Sequence, residues 1–473
     1  MPRKFIFICF MVLLSAFHAP AQTIQSLVSQ PPDGAGIGFL LTDGTVMFQG
    51  NGLSDWYKLA PDATGSYVNG KWTRLANLPS GYVPDAFASA VLADGRVVIV
   101  GGEYNNGAFA LTNLGAIYDP KANTWTNLPA PSGWQYIGDS PSVVLPNGNF
   151  LVGNKLTKSM AILNPKTLTW TVLAGTGKSD FNAEEGWTLL SDRSVLTMDV
   201  KNAPNSERFV LSSRTWNSAG STVVDLHSPS TLGCIKYGPG LCYYPPGEIG
   251  PAILRPDGTV FATGSYSNTS SGAGHTAIYD TATATWSAGP DFPNGDNAGD
   301  SFAVLLPSGN VLVEGGIQSY EWNGTKLNPV VATPGSLIVL PTGQVLVGGT
   351  EVYNPTGTYQ AAWAPTITSV PSAVKRGASY RISGTQLNGL SQAAAFGDEF
   401  ETATNYPLVR ITNNGTGHVY YARTHNHSTM AVATRAAIVS TSFDVPSKME
   451  AGASSLQVVT NGIPSLPVSI TVN

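Results

Sequence analysis

The chain has 473 residues, a formal net charge of −5 and only 12% charged residues, set against 51 glycines and 33 prolines. An acidic balance this poor in cations excludes nucleic acid and anionic membrane surfaces as partners, since both need a basic face. Few charges and many turn formers point to an all-β chain.

The first predicted element is a targeting segment. Arg3 and Lys4 precede an apolar stretch over 5–17, and Ala19-Pro20-Ala21 supplies the small residues of a cleavage site. This reads as a secretory signal peptide over 1–21, leaving Gln22 at the new N-terminus. No later run approaches the ~18 apolar residues of a membrane span. The protein is therefore expected to be secreted, to a periplasm or outside the cell, and to act as a monomer.

One pattern then recurs: an apolar strand, a turn ending in Gly, and a second apolar strand ending in Gly or Gly-Gly. It occupies 39–50 around Asp43-Gly44, 88–102 around Asp94-Gly95 and 142–153 around Asn147-Gly148. A degraded copy at 188–198 carries Asp192-Arg193, and the pattern resumes at 252–264, 302–316 and 336–349. Asp-Gly and Asn-Gly between apolar strands predict two-residue turns with both central positions at positive φ. Each hairpin is followed by a second strand pair marked by an aromatic or apolar residue and then Trp. Tyr118 with Trp125, Leu163 with Trp170 and Tyr279 with Trp286 share one spacing. Looser forms are Val210 with Trp216, Tyr320-Glu321-Trp322, and Tyr353 with Tyr359, while Tyr57 to Trp72 serves the first unit. A repeat of about 50 residues with these marks reads as a seven-bladed kelch-type β-propeller over 22–363, its tryptophans packed between blades.

Cys9 leaves with the signal, so Cys234 and Cys242 remain as a pair suited to a disulfide in an exported chain. So short a loop is worth roughly 2–3 kcal/mol and would pin the insertion at 231–246. After Trp363, Ala364-Pro365 reads as a linker. The strands alternating through 364–473 predict an immunoglobulin-like β-sandwich.

The C-terminal part carries Val409-Arg410-Ile411, Ala422-Arg423-Thr424-His425, Phe443-Asp444-Val445-Pro446 and Asn461-Gly462-Ile463-Pro464-Ser465 in that order. With the propeller before it, this resembles the galactose oxidase family and its glyoxal-oxidase-like relatives. The resemblance implies a Thr-His on a hairpin of this domain that reaches into the propeller and supplies a metal-ligating histidine. His425 stands at that position, and His427, two residues on, shares its strand face. The family also places a tyrosine and a Tyr-His pair about nine or ten residues before the hairpin glycine of two blades. This chain has no Tyr-His dipeptide and no tyrosine at that spacing, so the copper-radical ligand set is not expected here.

Acids stand at that spacing instead. Asp85 lies ten before Gly95, Asp139 nine before Gly148, Glu248 ten before Gly258 and Asp300 nine before Gly309. Glu184 and Glu185 precede Arg193, which fills the turn position, by nine and eight. These positions lie at the mouth of a propeller channel, where crowded carboxylates need a cation, a basic partner or retained protons. The plainer reading is that they cap turns. As chemistry, Asp139, Glu248 and Asp300 are the candidate acid–base residues. Asp85, Glu184, Glu185, Trp187, Tyr136 and Arg423 are candidate ligand contacts, and His425 and His427 candidate metal ligands. Hard oxygen donors favour Ca²⁺ or Mg²⁺ over copper. Three functions fit: a secreted protein that binds or acts on carbohydrate or another small ligand at this mouth, a non-catalytic surface or matrix binding protein, and a copper-dependent carbohydrate or alcohol oxidase.

Overall fold

The repeated turns close in one way. In the computed structural model, which describes residues 22–267 and 272–473, the Asp or Asn before each turn glycine is not at positive φ; the glycine alone is, from +75° at Gly44 to +88° at Gly258. Leu41 N–H donates to the Thr45 carbonyl and Gly44 N–H to the Leu41 carbonyl, so the loop is a three-residue turn ending in a left-handed residue. This corrects the two-residue expectation. The acid stays in the right-handed region because its side chain closes the turn: Asp43 Oδ1 accepts from Thr45 N–H at 3.0 Å, and Asp94 does the same for Arg96. In the degraded copy Arg193 must take φ +74° in the glycine's place.

The chain is all-β. Its helical elements among the described residues are two three-residue 3₁₀ turns, Pro293–Gly295 and Ala361–Trp363. Seven antiparallel sheets follow one another among the described residues, six of four strands and the sixth of five, its extra strand being Ala394–Ala395. Their first strands are Gly38–Leu40, Ala88–Val91, Ser142–Val144, Thr188–Leu189, Ala252–Leu254, Ala303–Leu305 and Leu337–Val339, all buried. The first strands of the first and seventh sheets pack together, which closes the ring. The seventh sheet departs from the sequence reading. Its fourth strand is Thr23–Ser26 from the chain's start, paired antiparallel with Glu351–Asn354, and Tyr359 lies in no strand. The tryptophans bridge neighbours: the indole N–H of Trp125 donates to the Ala76 carbonyl at 3.1 Å and that of Trp170 to the Pro129 carbonyl at 2.7 Å, each in the preceding unit. Positions 1–21, expected to be the signal peptide, lie outside the described residues.

Residues 366–473 build strands around a separate core that includes Val374, Ile382, Val409, Phe443 and Val458. This part sits on the hairpin-turn side of the sheets. Thr424 N–H donates to the Thr42 carbonyl at 3.0 Å, His427 N–H to the Ala93 carbonyl at 3.1 Å and Met430 N–H to the Pro146 carbonyl at 3.0 Å. From here residues 390–406 thread along the axis between the first strands. Ala394–Ala395 pairs with Ala303–Leu305, Leu189 N–H donates to Gln392 Oε1 at 2.6 Å, Glu401 N–H donates to Ser89 Oγ at 3.2 Å, and Tyr406 donates its hydroxyl to the Leu40 carbonyl. Phe400 stacks on Phe302 and meets Phe87 edge-on at 5.2 Å, and the Phe396 ring packs tilted against Phe302 at 4.7 Å. The turn of this segment comes so close to the fourth sheet that a Cβ on Gly186 would collide with the Gly397 carbonyl; a side chain there would push the axial segment out.

Candidate carboxylate site at the axis

The loops leading into the first strands bring Asp139, Glu184, Glu248 and Asp300 toward the axis, on the side opposite the hairpin turns. The tip of the axial segment adds Asp398 and Glu399. One ligand oxygen each from Asp139, Asp398 and Glu399 lie within 4.8 Å of one another, and the same holds for Glu184, Glu248 and Asp398. Asp398 therefore joins two carboxylate triads. Lys155, fully buried, supplies the positive charge. Its ammonium donates to Asp139 Oδ2 and lies 2.6 Å from Glu184 Oε1. Glu184 Oε1 also accepts the Tyr243 hydroxyl at 2.6 Å, and the Tyr243 ring lies 5.0 Å from the Lys155 nitrogen. Asp139 Oδ1 is buried with no hydrogen-bond partner.

One ammonium cannot balance so many carboxylates, and their proton affinities record it. Burial pushes the Asp139 and Glu399 carboxyls well above the usual range, and neighbouring acids add to the effect. Glu248 is pushed up to about 11, by burial first and then by Glu184 and Asp300. Asp300 is exposed, yet desolvation by the surrounding protein and then Glu184 raise it to about 6. Glu103 is raised too, by burial ahead of its acidic neighbours. The same fields hold the Lys155 ammonium firmly charged: Asp139 and Glu184 outweigh its burial.

Beside this cluster opens a cleft of about 490 Å³. Lys155, Phe181, Lys201, Tyr237, Tyr243 and Tyr244 line it. Three of these belong to or flank the hairpin Ile235–Gly238 with Leu241–Tyr243, which the Cys234–Cys242 disulfide ties together. The expected insertion is thus pinned as the cysteine count required, and it carries Tyr243 onto Glu184.

The other sequence candidates lie elsewhere. Glu185 turns into a neighbouring pocket with Lys178, 2.8 Å away. Asp85 is exposed and accepts from Ala86 N–H, the turn-capping role. Trp187 is buried in the sheet core, 5.8 Å from Trp216, while Tyr136 meets Tyr237 edge-on at 4.9 Å near the cleft. The hairpin of His425 does not enter the axis. His425 bonds Asp444 at 3.1 Å, and His427 is buried against Thr441 Oγ1 at 2.8 Å with its ring stacked on Tyr406. Arg423 bonds the Asp94 carbonyl at 2.8 Å and faces Asp444. The strand that carries these groups is held on the turn side by its backbone bonds to Thr42 and Ala93. Sequence reasoning missed Asp398, Glu399, Lys155 and Tyr243; the one visible signal was a Gly-Asp-Glu run directly after Ala-Ala-Ala-Phe in a chain so poor in charge.

Copper held by a radical site needs imidazole and phenolate donors. The axial groups here are carboxylates with one ammonium and the Tyr243 hydroxyl, His425 and His427 sit on the turn side, and Cys234 and Cys242 are bonded to each other. The residues present do not fit that group.

No protein-family model and no curated protein matches the chain. Among solved structures it is similar to a fungal alcohol oxidase of the AA5 family in complex with copper, at 13% identity over 96% of this chain and 99% of that one, with a TM-score of 0.48. It is also similar to a streptogramin B lyase, at 14% identity over 71% and 98% with a TM-score of 0.46. A third is the extracellular domain of a protein from B. thetaiotaomicron, at 11% identity over 96% and 59% with a TM-score of 0.48.

Proposed function

We propose that this is an exported seven-bladed kelch propeller with an immunoglobulin-like C-terminal domain, and that it takes a carbohydrate at the carboxylate mouth. The observation that carries the reading is the convergence of carboxyl groups from three leading loops and the axial tip beside an aromatic-walled cleft. Carboxylates accept hydrogen bonds from sugar hydroxyls, and the faces of Tyr237, Tyr243 and Tyr244 suit the apolar faces of sugar rings. Asp139 Oδ1, Asp398 and Glu399 are the donors that would hold a hard divalent cation there, and such an ion would relieve the surplus negative charge. Glu248 and Asp300 remain the residues placed to exchange protons with a bound ligand.

A glycan array probed with the purified protein tests the reading. Binding to a defined oligosaccharide class is expected, and Tyr244→Ala or Glu248→Gln should weaken it at least tenfold. An intact protein that retains no glycan sinks the proposal. Release of a product from the bound glycan, lost in Asp300→Asn, would mark an enzyme; unchanged glycan would mark a binding protein.

A further inference from the structure

The fourth sheet breaks the repeat at one buried position. Six residues after the turn residue, five sheets carry glycine: Gly50, Gly101, Gly264, Gly315 and Gly349. The third sheet has Asn154, and the fourth has Asp199, directly after strand Val195–Met198. Asp199 is 2% exposed, and neither of its carboxylate oxygens has a hydrogen-bond partner. An acid buried in that state demands an explanation.

Its surroundings supply donors already fixed in place. One oxygen each of Asp180, Glu185 and Asp199 lie within 4.8 Å of one another, and all three residues are buried. Asp180 is held by the backbone N–H groups of Phe181 at 2.8 Å, Lys201 at 2.8 Å and Asn202 at 3.1 Å. Glu185 is held by Thr197 Oγ1 at 3.1 Å and by Lys178. The Lys178 ammonium is taken up by Glu185 at 2.8 Å and Glu207 at 3.0 Å, and it rests over the Trp216 ring at 4.9 Å. Four buried carboxylates thus face one ammonium. A proton shared with Glu207 would satisfy one oxygen of Asp199 and leave the other bare, whereas a metal ion can take both.

We propose that Asp180, Glu185 and Asp199 hold a hard divalent cation, Ca²⁺ or Mg²⁺, inside the fourth sheet. The ion ties the loop that bears Asp180 to the end of the second strand and so fixes the wall of the cleft that Asp180 and Lys201 line. The site is independent of the carbohydrate reading and shares no residue with the axial triads.

The test uses the intact mature protein, stripped with EDTA and reloaded with CaCl₂ or MgCl₂ alone. Native mass spectrometry counts the bound ions, and thermal melts follow stability. The proposal expects one equivalent that survives in Asp139→Asn/Asp398→Asn and is lost in both Asp199→Asn and Asp199→Gly. The glycine variant restores the residue that five other sheets use, and the asparagine variant keeps the shape of the wild type. Added cation should raise the melting temperature of the wild type and of the axial double variant, and leave the axial double variant unmoved once Asp199→Asn or Asp199→Gly is added to it. An axial double variant that folds intact and binds neither ion, or that keeps its equivalent after the Asp199 change, overturns the proposal.

Discussion

At the scale of single residues, His427 shows how a group chosen for chemistry serves packing. Burial, more than the nearby charges of His425 and Arg423, lowers its affinity for protons to a pKa of about 3, while Asp94 pulls weakly the other way. The folded protein thus keeps His427 neutral where the unfolded chain takes up a proton. Its contribution to stability is full above about pH 6.5 and is lost as pH falls toward 3, at about 1.4 kcal/mol per pH unit between those limits. His427→Gln should lower stability at neutral pH and flatten this acid slope. Urea midpoints measured at intervals from pH 7 to 4 check it; an unchanged slope would show that the imidazole takes up its proton equally in the folded and unfolded states. The spacing of acids was legible in the sequence because each sits eight to ten residues before the residue that closes a hairpin turn. Their partners were not: Lys155 and Tyr243 reach Asp139 and Glu184 through contacts that no local pattern encodes.

At the scale of elements, the disulfide hairpin is a small device with a local effect. Ile235–Gly238 and Leu241–Tyr243 pair only with each other, so no sheet depends on them. Cys234→Ser/Cys242→Ser should therefore cost at most the roughly 2–3 kcal/mol of the cross-link. Its main result should be lost hydrogen-exchange protection across 235–243, with the strands of the neighbouring sheets unchanged. Loss of protection throughout those sheets would instead make the hairpin part of the core. Hairpins and their turns were readable because Asp-Gly and Asn-Gly act within three residues. The turn type was misjudged because the acid's side chain, bonding two residues ahead, removes its own need for positive φ.

At the scale of the whole molecule, the ring closes through its two chain ends. Thr23–Ser26 completes the seventh sheet against Glu351–Asn354, across more than three hundred residues. Deleting 23–26 strips four residue pairs and exposes the edge of that sheet. With one backbone hydrogen bond per pair worth about 0.5–1.5 kcal/mol net, a loss of about 2–6 kcal/mol is expected, seen as a lower and broader calorimetric transition. An unchanged transition would mean that the strand adds nothing to closure.

The sequence by itself determined the all-β class, the repeat and where its turns fall, the disulfide and the recurrence of acids ahead of the turns. Each of these is written in short-range periodicity or in residue counts. Only the tertiary structure decided which segment occupies the axis. Backbone bonds to Thr42 and Ala93 keep the His425 strand on the turn side, and residues 390–406 descend in its place to set Asp398 and Glu399 among acids from three other loops. That choice depends on small residues such as Gly186 and Gly397 leaving room between sheets far apart in sequence, and long-range packing of this kind leaves no periodic trace in the chain.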